Sequence, residues 1–221
     1  MKHIVIIGAG GFARGVAWLI EEINSIKRQW QIIGYVDDDS NKHGQILNNY
    51  HVIGGLKELH RLSRDIYLIC AIGDPYVRQT IVKKVAPLGF LFANIVHPSV
   101  KRSPYISMGC GNIIGVSSIM TVNITIGNHN IINHNCTIAH DVFIGNYCNI
   151  FSAANLSGNV VLHDLVSIGT NAAIVQGISI GEGTIIGAGS VVVRHLPPNC
   201  TAVGVPARPI KFHQELGDSQ K

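Results

Sequence analysis

At 221 residues the chain exceeds the ~100–200 usual for one domain, so two modest domains and a real core are expected. Hydrophobic residues make up 47% and charged residues only 14%, where about 25% is usual; a solenoid with apolar walls, or a surface hidden in an oligomer, accounts for that balance. The formal charge of +4 suits anionic small molecules slightly better than cationic ones and is far too weak to argue for nucleic acid. The five cysteines are odd in number and form no C-x-x-C pair, which reads as packing residues of a reduced, cytoplasmic protein. No signal peptide is expected before the first strand, and no ~18-residue apolar run suits membrane insertion.

Residues 1–96 read as a small βα domain. The apolar run Met1 to Ile7 ends in Gly8-Ala9-Gly10-Gly11-Phe12-Ala13-Arg14, after which Val16, Ala17, Leu19, Ile20 and Ile23 recur at helical spacing. Gly8, Gly10 and Ala13 fit G-x-G-x-x-[G/A], a turn that lets N–H groups at a helix start approach a phosphate; a tight turn without a ligand is the plain alternative. A second strand, Gln31 to Val36, ends in Asp37-Asp38-Asp39, where an acidic residue of a dinucleotide fold holds a ribose and where a solvated turn is equally natural. A short helix near Leu56–Leu62, a strand Ile66–Ile72, the turn Gly73-Asp74-Pro75, a helix Val77–Ala86 and a strand near Phe90–Ile95 complete the alternation. This is about half a dinucleotide-binding domain, with room for one nucleotide.

From 97 to 203 a six-residue period takes over. Ile114, Met120, Ile126, Ile132, Ile138, Ile144, Ile150, Leu156, Leu162, Ile168, Ile174, Ile180, Ile186 and Val192 are all large aliphatic residues in steps of six. Neither a strand nor a helix repeats this way, whereas short strands joined by regular corners do, and a further recurrence every eighteen residues makes three faces one coil of a β-helix. Val100 and Ile106 keep the spacing, so a two-residue slip before Ile114 is expected in an irregular first coil. Pro197-Pro198 is expected to stop the regular repeat, and residues 204–221 to form a tail that caps or flanks the last coil.

In such a solenoid the aliphatic slots hold the core, so chemistry must sit at corners or outer faces. His140 lies two residues after core Ile138 and directly before Asp141, and a carboxylate beside an imidazole orients a general base and stabilises its protonated form. A surface His–Asp pair without a role is the competing reading. His129 and His134 lie in the same coil, so a metal cluster has to be weighed; a β-helix zinc site needs histidines in successive coils, and Ala93 stands two coils before His129. No metal is expected on that count.

Gly8-Ala9-Gly10-Gly11, Asp37-Asp38, Ala71-Ile72-Gly73, His140-Asp141, Gly158-Asn159-Val160 and Gly204-Val205-Pro206-Ala207-Arg208 together resemble, over nearly the whole chain, one family. It is the sugar-nucleotide acyltransferases that join an N-terminal βα domain to a left-handed hexapeptide β-helix, comprising sialic acid O-acetyltransferases and bacillosamine-type 4-amino-sugar N-acetyltransferases. The resemblance implies a homotrimer with active sites between neighbouring β-helices, acetyl-CoA along the groove, and the nucleotide held near Gly8, Gly10, Gly11, Asp37, Asp38 and Gly73. It further implies His140 as the base, Asp141 as its orienting acid, Asn133 beside the acceptor, and coenzyme contacts at Gly158, Thr170, Ala188, Pro206 and Arg208. Two positions depart from the family pattern. Phe12 stands where some members have a phosphate-contacting histidine, which shifts the pyrophosphate to backbone N–H groups or Arg14. Asn149 replaces a histidine that meets the acyl carbonyl, and an amide can still donate to an oxyanion.

The expected activity is therefore acetyl transfer from acetyl-CoA to the 4-amino group of a nucleotide-linked, UDP by preference, deoxysugar. Sugar O-acetylation, a metal-dependent hydratase or hydrolase, and a silent sugar-nucleotide-binding scaffold remain as alternatives.

Overall fold

The computed structural model describes residues 1–213, so the end of the expected tail, 214–221, lies outside the described residues. The chain divides into two compact units, Met1–Pro98 with Cys110–Ile114, and Ser99–Gly109 with the chain from Gly115 onward.

The first unit is a six-stranded sheet with order β3-β4-β2-β1-β5-β6, formed by β1 Lys2–Ile7, β2 Trp30–Val36, β3 Ile46–Leu47, β4 Tyr50–Gly54, β5 Tyr67–Cys70 and β6 Leu91–Phe92. The apolar run of β1 takes the centre, paired in parallel with β2 and β5, and Ile4, Val5, Ile6 and Ile7 are at most 1% exposed. A strand covered on both faces has no need of polar alternation, which is why this one reads as continuous hydrophobe. Helix α1, Gly11–Ile26, buries Ala13, Val16, Ala17, Leu19, Ile20 and Ile23 along one stripe. Helix α2, Pro75–Val85, starts where Asp74 accepts hydrogen bonds from the N–H groups of Tyr76 and Val77, with Pro75 pre-set for the first turn. The expected helix near residue 56 is a 3-10 turn, Leu56–Arg61. The antiparallel hairpin of β3 and β4 was not anticipated; Asn48 and Asn49, both with positive φ (47° and 69°), make its two-residue turn. The expected last strand is split, since Ile95–Val96 leaves the sheet to pair with Ile113–Ile114.

The second unit is a left-handed parallel β-helix. Two-residue strands pair in parallel with the strand eighteen residues on, as in Thr137↔Asn155, Phe143↔Val161 and Asn149↔Ser167. Ile138, Ile144, Ile150, Leu162 and Ile168 are fully buried, and each such side chain contributes about 1.5–3 kcal/mol of apolar burial. Each coil turns through a left-handed residue, among them Asn123, Asn135, Asp141, Asn159 and Asn171, because Asn and Asp tolerate positive φ at little cost.

One expectation about the ends of the repeat is corrected. There is no slip before Ile114: Arg102 pairs with Met120 and Met108 with Ile126, each eighteen residues apart. Arg102 occupies the aliphatic slot at the open start of the stack, where a core side chain has no coil in front of it, so hydropathy alone misplaced the register. Pro197 and Pro198 do lie where the regular eighteen-residue repeat stops. Ile180 bridges Leu196 and Ile186 pairs with Ala202, a spacing of sixteen that shortens the last coil by two residues without breaking it. The strand Cys200–Gly204 then folds back on Ala207–Phe212 as an antiparallel hairpin.

Candidate functional site

Two regions of the molecule gather polar chemistry. The first is a cavity of about 430 Å³ at the carboxyl ends of β1, β2 and β5, lined on the glycine side by Gly8, Gly10, Gly11 and Phe12 and opposite by Asp37, Asp38, Leu56, Ile72, Gly73 and Ile81. Gly8 has a φ of +100°, and a Cβ there would stand 3.1 Å from the carbonyl oxygen of Ala71, so only glycine makes this turn without strain. A Cβ on Gly10 meets nothing within 4 Å, which leaves the mouth of the cavity open above the start of α1. Gly10 caps that helix without a side-chain hydrogen bond, so its first N–H groups stay available to an anion.

Asp37 and Asp38 have different duties. The Asp37 carboxylate accepts from Ala9 N–H (2.8 Å), Asp39 N–H (2.9 Å) and the Lys42 ammonium (3.1 Å). Burial pushes this carboxyl up, but the Asp39 N–H, Lys42 and Ala9 N–H together outweigh it and hold the pKa below its ordinary value. Asp37 thus ties the glycine turn to the loop after β2 and has little acceptor capacity to spare. Asp38 accepts the Leu56 N–H on Oδ1 (2.8 Å) and also lines the cavity. Arg14 is absent from the lining, whereas Lys42, Leu56 and Ile81 belong to it and carried no recognisable sequence signal. A further missed residue is Arg78, fully buried, whose Nη1 donates to the carbonyls of Ile72 (2.7 Å) and Gly73 (3.1 Å) and so braces the cavity wall.

The second region is one corner of the β-helix. His140 Nδ1 lies 2.8 Å from Asp141 Oδ2, and both side chains are nearly half exposed. A carboxylate can only accept, so Nδ1 carries a proton, and in the neutral imidazole the lone pair is on Nε2. The hydrogen bonds from His140 and then from Asn123 hold the Asp141 carboxyl below the usual carboxylate range. The backbone of Gly158 forms the floor one coil on: a Cβ there would stand 2.5 Å from His140 Nε2 and 3.0 Å from Nδ1, so the ring occupies the space that a side chain at this position would take. The backbone is pinned by Asn159 N–H to the His140 carbonyl (2.9 Å) and Gly177 N–H to the Gly158 carbonyl (2.9 Å).

The remaining expected residues do not join this corner within one chain. Asn133, Thr170 and Ala188 follow Ile132, Ile168 and Ile186 at a different corner, where Gly189 N–H donates to the Thr170 carbonyl (2.8 Å) and stacks successive coils. Asn149 sits on the wall that leads to that corner and is 3% exposed, so its amide is covered in the single chain and an oxyanion role gains no support from its surroundings. Pro206 and Arg208 occupy the tip and return strand of the final hairpin. Of the other histidines, His129 is stacked on Tyr147 (5.3 Å between ring centres) and His134 Nδ1 accepts the Val116 N–H (3.0 Å). Burial pushes the Cys136 thiol up to about 11 and the Cys70 thiol up to about 12, which suits packing more than nucleophilic chemistry.

Residues 3–85, the whole of the cavity-bearing sheet apart from β6, match the PglD N-terminal domain family. A solved structure of a single-residue mutant of perosamine N-acetyltransferase from Caulobacter crescentus, in complex with CoA and GDP-perosamine, is 30% identical and aligns over 95% of this chain and 97% of its own, with a TM-score of 0.71. The chain belongs to the sugar-nucleotide acetyltransferase family. Two more structures of similar length agree. The acetyltransferase domain of PglB from Neisseria gonorrhoeae FA1090, in complex with acetyl coenzyme A, is 29% identical with a TM-score of 0.86 over 95% of this chain and 99% of its own. WeeI from Acinetobacter baumannii AYE is 26% identical with a TM-score of 0.85 over 95% and 100%. Curated relatives outside these structures share only part of the chain: 2,3,4,5-tetrahydropyridine-2,6-dicarboxylate N-acetyltransferase of Staphylococcus aureus is 39% identical over 62 residues, 28% of this chain, and only 26% of that enzyme is spanned. The sugar-nucleotide acetyltransferase family thus accounts for both units, the cavity sheet and the coils.

Proposed function

We propose that this member of the family transfers the acetyl group of acetyl-CoA to the 4-amino group of a nucleotide-linked deoxysugar, UDP-linked by preference, in the cytoplasm and on the way to cell-surface glycans. The observation that carries the reading is the exposed His140 imidazole, held by Asp141 and seated on the bare backbone of Gly158. In the reaction, the neutral amine attacks the thioester carbonyl carbon while Nε2 of His140 takes its proton. The new C–N bond forms, the tetrahedral intermediate collapses, the C–S bond breaks, and the imidazolium returns the proton to the departing CoA thiolate. Asp141 remains ionised throughout and stabilises the imidazolium; no covalent enzyme intermediate is needed.

The nucleotide fits the cavity of the first unit, with its phosphates toward the N–H groups of Gly11 and Phe12 and its polar edge toward Asp38. Thr170 and Ala188 belong to another corner than His140 and Gly158, which supports a groove built from two copies of the chain, the coenzyme running between them. His140→Ala tests the base directly. Turnover falls by roughly 10²–10⁴-fold, the range for a lost general base, with the oligomeric state unchanged by size-exclusion with light scattering. Turnover near that of the unaltered enzyme would defeat the mechanism.

A further inference from the structure

The Asp141 carboxylate is held from two sides. Oδ2 faces His140 Nδ1, while Oδ1 accepts a hydrogen bond from Nδ2 of Asn123 at 3.1 Å. Asn123 stands eighteen residues before Asp141, one coil earlier on the same corner, and the two share nearly the same left-handed backbone (φ 56° and 58°). Their backbones are also linked in register, since Asp141 N–H donates to the Val122 carbonyl (3.1 Å). Side chains leaving identical conformations one rung apart lie side by side, so the amide of Asn123 meets the carboxylate of Asp141 edge to edge. Only the NH₂ end of the amide can face a carboxylate, which sets the amide's orientation as well.

Exposure makes this contact matter. A carboxylate that is nearly half exposed and bonded to one partner can swing about its χ2 torsion and trade that partner for water. Anchoring the second oxygen removes that freedom and keeps Oδ2 against His140 Nδ1. We propose that Asn123 is a positioning residue for the His140 base, acting through Asp141; the inference rests on the acetyltransferase reading of His140. The plain alternative is that Asn123 is there only because the corner needs a residue that accepts positive φ.

Two substitutions separate these readings. Asn123→Gly keeps the left-handed corner free of strain and deletes the amide, and Asn123→Asp keeps size and shape but turns the donor into an acceptor facing a like charge. With acetyl-CoA and an amino-sugar nucleotide, kcat is expected to fall roughly 3–10-fold in Asn123→Gly and further in Asn123→Asp, with KM for both substrates within about two-fold, as for the net loss of one solvent-exposed hydrogen bond. In a His140→Ala background Asn123→Gly should bring no additional loss. In parallel, ¹⁵N NMR of the imidazole should show the proton on Nδ1 of His140 in the unaltered protein and a mixture of tautomers in either variant. An unchanged kcat in Asn123→Gly, an equal loss in the His140→Ala background, or an unchanged tautomer would each overturn the proposal. Should His140→Ala itself keep full turnover, the base assignment fails on its own, and the tautomer measurement still decides whether Asn123 positions the dyad.

Discussion

Gly158 carries no side chain because the His140 ring fills the space where a Cβ would go. The obstruction is a movable side chain and not backbone, and Gly158 is not among the glycines held at positive φ, so an added methyl group should be accommodated by displacing the imidazole. Gly158→Ala is therefore expected to change the melting temperature little and to lower turnover at least about ten-fold, as misplacement of a base does; a variant with full turnover would show that the ring does not act from this seat. The dyad was legible in the sequence because His140 and Asp141 are adjacent and fall at a corner of the period. Asn123 was not, since its partner lies a whole coil away and nothing local distinguishes it from other corner asparagines. Arg78 was hidden for a different reason: its partners are near in sequence, but a basic residue on a short helix reads as solvated until the loop carbonyls of Ile72 and Gly73 fold back on it.

At the scale of elements, the loop after β2 depends on one carboxylate. Because Asp37 has a lowered pKa in the folded chain, its stabilising contribution is fully present above the ordinary carboxylate value of about 3.9 and is lost as pH falls through the lower folded value. Asp37→Asn should therefore melt below the unaltered protein at pH 7, and the gap should close as pH is taken below about 4. A gap independent of pH across that window would mean that Asp37 stabilises the loop by shape and not by charge. The coils themselves were readable almost residue by residue, since each aliphatic slot has no alternative to burial. What escaped were the places where the stack ends: Arg102 in a core slot of the first coil, and the four-residue step from Val192 to Leu196 that shortens the last coil. End coils lack a neighbour on one side, so the hydrophobic rule that governs the middle is relaxed there. The hairpin at Asn48 and Asn49 was missed because its strands are too short for alternation to register.

At the scale of the molecule, the outer walls of the β-helix expose Ile119, Phe143, Phe151, Val175 and Ile185, each at 40–44%, which agrees with a low charge fraction and with burial against further copies of the chain. If the site is shared, defects at different corners should complement. Mixed oligomers of His140→Ala and Ala188→Trp, each inactive alone, are expected to recover about a quarter of normal activity at equal ratio, because that share of interfaces pairs two intact corners. No recovery on mixing would confine the site to a single chain. The central claim, acetyl transfer to an amine on a nucleotide-linked sugar, is tested most directly by thiol release from acetyl-CoA against UDP-, dTDP- and GDP-linked 4-amino sugars, with the matching 4-hydroxy sugars alongside. Stoichiometric CoA release and an N-acetylated product are expected with at least one 4-amino sugar nucleotide, and little with its 4-hydroxy counterpart; release with the hydroxy sugars alone, or with none of the panel, would rule out N-acetyl transfer.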